Sequence, residues 1–328
     1  MVTLGAGERV YVAETPRSVP EGSVPQGSVP EGKDVPEGKD LVVCVHGMTG
    51  AATNWTDLMA ALAPDFDCAA VDLPGSGFSP PPAKKSGYSV RALAATVIGL
   101  IETIGGAAGR GPVHLIGNSM GGAVCVRVAA ARPDLVKTLT LISPALPDRR
   151  PHRTTLHFPV LALPLIGERL ARRFGTLPPE NRVAGVYDMC FYDPRNLHPD
   201  RFAQEVAEQR RRDASGHNEN AIVGAARTLV AETLRPRRLS LWRAAERIEA
   251  PVLVTFGSHD RLVSPALAAQ AARAFSGARV VVLPLTGHIA QMERPALVAA
   301  QFREMVARTR ATGGTPQGNS GRRDPVDA

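Results

Sequence analysis

From Leu41 onward, apolar residues fall into two alternating kinds of run. Short unbroken stretches recur at Leu41–Val45, Cys68–Asp72, Val113–Gly117, Thr138–Ile142, Val252–Phe256 and Val280–Leu283. Each has the length of a strand and is apolar at successive positions, which predicts strands covered on both faces. Between them, apolar positions at helical spacing predict helices near Asn54–Leu62, Val90–Ile104, Met120–Ala131, Pro265–Phe275 and Pro295–Thr309. Strand and helix in turn predict an α/β fold, a mostly parallel central sheet flanked by helices.

Two segments break the alternation. Residues 1–40 hold one short strand, Arg9–Glu14, followed by Ser-Val-Pro-Glu-Gly at Ser18–Gly22, near-copies from Ser23 and Ser28, and Val-Pro-Glu-Gly at Val35–Gly38. Pro and Gly alternate there too closely for a helix or a ladder, and no large apolar residue recurs to be buried. The repeat therefore reads as a disordered loop, with a docking motif as the functional alternative. Between Pro144 and Leu239 the chain is rich in Arg, Pro and His, with short helical pieces at Arg201–Arg211 and Ala221–Leu234. This predicts a mainly helical cap over 146–235, inserted into a core of 41–145 and 236–310. The Gly- and Arg-rich tail, 311–328, reads as disordered.

Composition narrows the function. The formal charge of the 328 residues is +7, yet Lys and Arg are spread along the chain and aromatics make up 5%. A nucleic-acid binder would gather its basic residues and interleave aromatics, so that class is set aside; some preference for anionic substrates is retained. Cys44, Cys68, Cys125 and Cys190 form no C-x-x-C pair and no metal spacing with histidine. Three of them lie in apolar stretches, as structural thiols in a reducing compartment do, and no metal is expected. Met1–Thr15 lacks a signal-peptide pattern, and no window reaches the roughly 20 apolar residues of a membrane span. The expectation is a cytoplasmic protein without stable membrane insertion.

The sharpest chemical signal is Gly117-Asn118-Ser119-Met120-Gly121, with an apolar strand before it and a helix after it. A turn this tight leaves no room for side chains two residues either side of the serine, hence Gly117 and Gly121. It lifts the Ser119 hydroxyl above the sheet edge and sets the Met120 amide at a helix N-terminus. Serine needs a base, and His288 follows the last strand on a loop made sharp by Gly287. Asp260, after the penultimate strand, is the carboxylate expected to orient that imidazole, with Asp148 as the alternative. The resulting order is Ser, Asp, His. His46-Gly47-Met48-Thr49-Gly50 ends the first strand of the alternation, and the Met48 amide is paired with that of Met120 as an oxyanion hole, His46 and Gly47 bracing the loop. Asp72-Leu73-Pro74-Gly75-Ser76-Gly77-Phe78-Ser79 lacks dinucleotide spacing and reads as scaffold on the oxyanion side.

Together, His46-Gly47-x-x-Gly50, Asp72-x-Pro74-Gly75-x-Gly77-x-Ser79, the Ser119 elbow, Asp260 and Gly287-His288 resemble the α/β-hydrolase fold superfamily from Leu41 to about Arg310. The resemblance implies a serine nucleophile, a cap over the site and no cofactor. Gly287-His288-x-Ala290-Gln291-x-Glu293 and the elbow also look like those of meta-cleavage C–C hydrolases; those carry Trp after the histidine, where this chain has Ile289. Carboxylesterases and lipases share both strings. The reading is a carboxylesterase acting on a small-molecule ester, with C–C hydrolysis and a non-catalytic small-molecule receptor as alternatives. The basic cluster Arg149, Arg150, Arg153, Arg172 and Arg173 is either a binding site for an acidic substrate or a solvated face.

Overall fold

The computed structural model describes residues 1–5, 7–15, 39–106, 111–148, 151–197, 199–214, 216 and 218–311. The repeat at 18–38, the tail from 312, and Arg149, Arg150, His198 and His217 lie outside the described residues. The expected strands are β4 (Leu41–Val45), β5 (Asp67–Val71), β6 (Val113–Asn118), β7 (Val136–Ile142), β8 (Val252–Gly257) and β9 (Arg279–Leu283). Among the described residues they form one sheet with β3 (Val12–Glu14), in the order β3-β5-β4-β6-β7-β8-β9. All neighbours are parallel except β3, which runs antiparallel to β5.

Register explains the unbroken apolar runs. Val43, Val45, Leu115, Leu139, Leu141 and Val254 face α2 (Val90–Ile101), α3 (Met120–Ala131), α9 (Leu241–Ala245) and α10 (Ala268–Ala274). Their neighbours Val42, Cys44, Ile116, Ile142 and Leu253 face α1 (Thr56–Leu62) and α12 (Pro295–Ala311), where Trp55 and Phe302 fill the second core. The inner strands β4 to β8 thus bury both faces, as an α/β sheet requires, while the edge strands β3 and β9 are only partly covered.

The expected single strand Arg9–Glu14 is two strands with different partners. β2 (Arg9–Val10) pairs with β1 (Val2–Thr3), whereas β3 pairs with β5. The break falls at Tyr11, whose N–H donates to Ser79 Oγ at 2.8 Å and whose carbonyl accepts from Asp72 N–H at 3.0 Å. Asp72 correspondingly leaves β5, and α2 gives way to a π-helical turn at Glu102–Gly106 instead of reaching Ile104.

Between β7 and β8 lie α4 (His157–Ala162), α5 (Ile166–Gly175), α6 (Pro179–Cys190), α7 (Pro199–Ala214) and α8 (Asn218–Leu234). α4 and α5 pack on α8, and α6 packs on α7. The last two share an apolar cluster of Val183, Tyr187, Phe191 and Val206 that reaches Ile289 and Met292 beside the last expected strand. α7 and α8 match the helical pieces read from sequence. No element is predicted from the sequence at α4 to α6.

His114 on β6 is a core residue, opposite Thr138 in the ladder and hydrogen-bonded to its Oγ1 through Nδ1 at 2.7 Å. Its ring edges meet Phe66 and Phe302. Burial pulls its pKa down from 6.5 to about 4, against the raising effect of Asp40. The unfolded chain therefore binds a proton between those values that the folded chain does not, so stability is intact above pH 6.5 and falls as pH drops toward 4, by up to about 3 kcal/mol from this residue. His114→Gln should flatten part of the fall in melting temperature between pH 6.5 and 4.5. Parallel curves for the two proteins would remove His114 as its source.

Candidate active site

The strand order reverses between β4 and β6: the chain goes from β4 outward to β5, then returns to lay β6 on the other side. Parallel strands diverging at such a point open a crevice at their carboxyl ends. The His46–Gly50 loop leaves β4 there, and Ser119 leaves β6.

Ser119 has φ 54° and ψ −119°, left-handed backbone for a non-glycine residue. It is held by its N–H donating to Ile142 O at 3.0 Å and its carbonyl accepting from Ala145 N–H at 2.9 Å. A Cβ at Gly117 would lie 2.6 Å from Cys125 Sγ and from Gly121 O, and one at Gly121 would collide with the carbonyls of Val45 and His46. The two glycines thus let α3 start against the end of β4. Met120 is the first residue of α3, so its amide has no carbonyl one turn back to bond.

Asp260 and His288 meet as the sequence predicts. Oδ2 of Asp260 accepts from His288 Nδ1 at 2.9 Å, while Oδ1 accepts from the amides of Leu262 and Val263 at 2.8 and 2.9 Å. Burial alone would raise the Asp260 pKa; the imidazole and the two amides outweigh it and hold the carboxyl below its ordinary value. Nδ1 is thereby the donor, which leaves Nε2 as the basic nitrogen. Asn118, the residue before the serine, donates through Nδ2 to Ile142 O at 3.0 Å and to His288 O at 3.1 Å. The elbow therefore holds the backbone of the histidine directly. Asp148 lines the same cavity, but the carboxylate on His288 is that of Asp260.

His46 faces inward. Its Nε2 accepts from Leu73 N–H at 3.0 Å and its Nδ1 lies 2.7 Å from Gly47 O, so the second nitrogen carries the proton. Burial lowers its pKa to about 4, and it braces the loop as a neutral ring. Gly47 packs on the elbow, where a Cβ would lie 3.0 Å from Ser119 Cβ. The Asp72 loop is scaffold: its carboxylate accepts from Ala52 and Phe78 amides at 2.6 and 2.7 Å.

Ser119, His288, Asn118, Gly47 and Met48 share one cavity of about 470 Å³. The rest of its wall is largely apolar and comes mostly from the inserted helices, within the size range of small-molecule sites. The exposed cluster Arg153, Arg172 and Arg173 is absent from that wall; Arg182 and Arg212 line it instead. Sequence reasoning assigned no role to three further groups. Arg212 of α7 donates to Thr49 O, whose φ is 58°. Glu205 of α7 accepts from Asn54 Nδ2 at 3.2 Å. Glu293 accepts from Gly287 N–H at 2.6 Å with one oxygen and from the amides of Tyr192 and Asp193 at 3.0 and 3.3 Å with the other. That carboxylate ties the histidine loop to the end of α6, where Cys190 O also accepts from His288 N–H at 2.6 Å. Only Glu293 had a signal, as the last position of the string around His288. Among the described residues no cluster of His, Cys, Asp and Glu has the makings of a metal site.

A family model described as alpha/beta hydrolase fold matches residues 40–295. Over 249 residues the chain is 29% identical to the 2-(acetamidomethylene)succinate hydrolase of Mesorhizobium japonicum, covering 76% of this chain and 81% of that protein. A thermophilic esterase from Thermogutta terrifontis has a similar structure, with a TM-score of 0.67 at 21% identity, covering 94% of this chain and 97% of that one. The 2-hydroxy-6-oxo-6-phenylhexa-2,4-dienoate hydrolase of a Rhodococcus strain gives 0.66 at 22% identity, covering 82% and 91%. At those identities the two structures speak for the fold.

The close approach at Gly121 gives a test of the elbow. Gly121→Ala should cost about 1–3 kcal/mol in denaturant unfolding, the usual penalty for overpacking against backbone that cannot retreat. An unchanged midpoint would mean that α3 and β4 are further apart than described.

Proposed function

This chain belongs to the alpha/beta hydrolase fold family, and we propose that within it the protein is a serine hydrolase cleaving carboxylic esters of small to medium substrates through an acyl-enzyme. The observation that carries this reading is the Asp260–His288 pair, buried at 2.9 Å and held by Asn118 beside a strained Ser119. Ser119 Oγ attacks the ester carbonyl while His288 Nε2 takes its proton. Charge collects on the carbonyl oxygen, which the Met48 and Met120 amides receive. The tetrahedral intermediate collapses, and the leaving alcohol takes the proton back from Nε2. Water then enters, loses a proton to the same nitrogen and attacks the acyl carbon. The second tetrahedral intermediate collapses, Ser119 Oγ leaves taking the proton back from Nε2, and the acid is released. Asp260 keeps the imidazole in the required tautomer and stabilises its cation without taking the proton.

Residues 41–145 and 236–310 are the catalytic core in this reading, and 146–235 form a cap that walls the acyl pocket. The size and apolar wall of the cavity favour a medium acyl chain. Four buried, unbridged cysteines suit the cytoplasm. Among the described residues no helix is long and apolar enough to cross a membrane.

The purified protein should label with a fluorophosphonate at Ser119 and turn over p-nitrophenyl esters, with a rate that peaks at short to medium chains. Ser119→Ala should lose both properties and remain folded; if it retained ester turnover, the nucleophile would be another residue. Asp260→Asn should lower kcat by roughly a thousandfold or more by removing the tautomer control. Labelling without ester turnover would point instead to C–C bond substrates or to a receptor.

A further inference from the structure

α5 is amphipathic in an inverted sense. It turns its smallest residues inward: Gly167 and Ala171 are buried, and a Cβ at Gly167 would strike Leu161 O at the end of α4. Its large apolar residues point out. Ile166, Leu170, Phe174 and Leu177 repeat at one-turn spacing along one stripe, and each is 41–46% exposed. Leu163 and Leu165, in the turn before the helix, extend the stripe, and Leu165 is 71% exposed. Residues 156–177 supply eight of the fifteen exposed large hydrophobics among the described residues, so the exposure is a patch and not scatter.

The rim of this patch is basic. At about 100° per residue, Arg169 and Arg173 fall beside the stripe and Arg172 beyond them, on the side away from Gly167 and Ala171. All three are exposed. Glu168, the only carboxylate of 156–177, is taken up by Arg227 at 2.8 Å. The cavity opens here as well, since Leu156, Phe174 and Leu234 are both exposed and part of its wall.

We propose that the α4–α5 face docks on a lipid surface bearing anionic headgroups. The stripe enters the headgroup boundary, the arginines meet the phosphates, and substrates with apolar chains pass from lipid into the cavity without crossing water. A second copy of this chain would bring the same arginines against themselves, whereas anionic lipid complements them. The docking face stands on exposure and charge alone; delivery of substrate through it rests on the esterase reading.

The test uses full-length Ser119→Ala protein, so that binding is read without turnover. It should co-sediment with vesicles of equal phosphatidylcholine and phosphatidylglycerol, and bind at least about tenfold more weakly to pure phosphatidylcholine or in high salt. Adding Ile166→Glu with Leu170→Glu, or replacing Arg169, Arg172 and Arg173 by Gln, should each weaken binding at least about tenfold with melting temperature unchanged. Equal sedimentation of these variants and their parent, or no binding to the anionic vesicles, would overturn the proposal. So would a dimer in light scattering that the Glu variants dissociate, found without vesicle binding. Fluorophosphonate labelling of the parent with Ser119 intact tests the esterase reading separately.

Discussion

The backbone of Ser119 is held where a non-glycine residue does not rest on its own, at φ 54° and ψ −119°. Strain of this kind costs about 1–3 kcal/mol and persists only where the surroundings over-determine it. Here they do. Two hydrogen bonds anchor the residue to β7 and the segment after it, and the glycines at 117 and 121 let β6, α3 and the end of β4 converge on one point. Moving any one of these elements outward would relax the turn and lower the serine back toward the sheet. The two apolar cores on either side of the sheet supply the stiffness that prevents it.

Asp260, His288, Asn118 and His46, buried around that point, each have a defined partner. The Asp260 carboxylate is desolvated, but it accepts from an imidazole and two amides, which hold its pKa below the ordinary carboxylate value although burial alone would raise it. His46 shows the opposite balance. Its nitrogens are engaged by backbone groups, burial is not offset by a charge in hydrogen-bond contact, and the ring stays neutral. Two histidines at two strand ends thus hold different electrostatic positions, one paired with a carboxylate and one bracing a loop.

The core was readable because both of its signals are local. Uninterrupted runs such as Leu41–Val45 mark buried strands, and the glycine spacing around Ser119 is itself a five-residue pattern, the clash avoided at Gly117 falling on Gly121 and that at Gly121 on the end of β4. The meeting of Asp260 with His288 was legible only through strand order, which places loops at one sheet edge. Contacts that cross from core to insertion were not legible. Arg212 to Thr49, Glu205 to Asn54 and Glu293 to Tyr192 join residues 101 to 163 positions apart, and nothing near either partner announces the other. The split at Tyr11 was missed for the same reason, because a serine 68 residues away takes its amide. Which face of α5 meets the protein was not legible, because apolar residues at helical spacing look the same whether their stripe is buried or exposed, and this helix buries its small residues.

That inversion separates the inserted helices into two unlike halves. α7 is fastened to the core by Arg201 to Asp57, Glu205 to Asn54, Arg212 to Thr49, and Arg211 both to Gly77 O at 2.6 Å and 3.5 Å over the Phe78 ring. α6 is fastened by Asp188 O and Cys190 O, which accept from Arg261 and from His288 N–H. Through Thr49 and Cys190 this half also touches the loops that carry Met48 and His288. α4 and α5 rest mainly on α8 and leave Val160, Ile166, Leu170 and Phe174 exposed. A half that fixes loop geometry gains from dense polar attachment, since sub-ångström placement of donors is what electrostatic stabilisation requires. On the proposed reading the other half receives substrate, and there an apolar face that completed its packing on the protein would have nothing left to offer an apolar ligand. On that reading the same insertion meets both demands by dividing them between its helices.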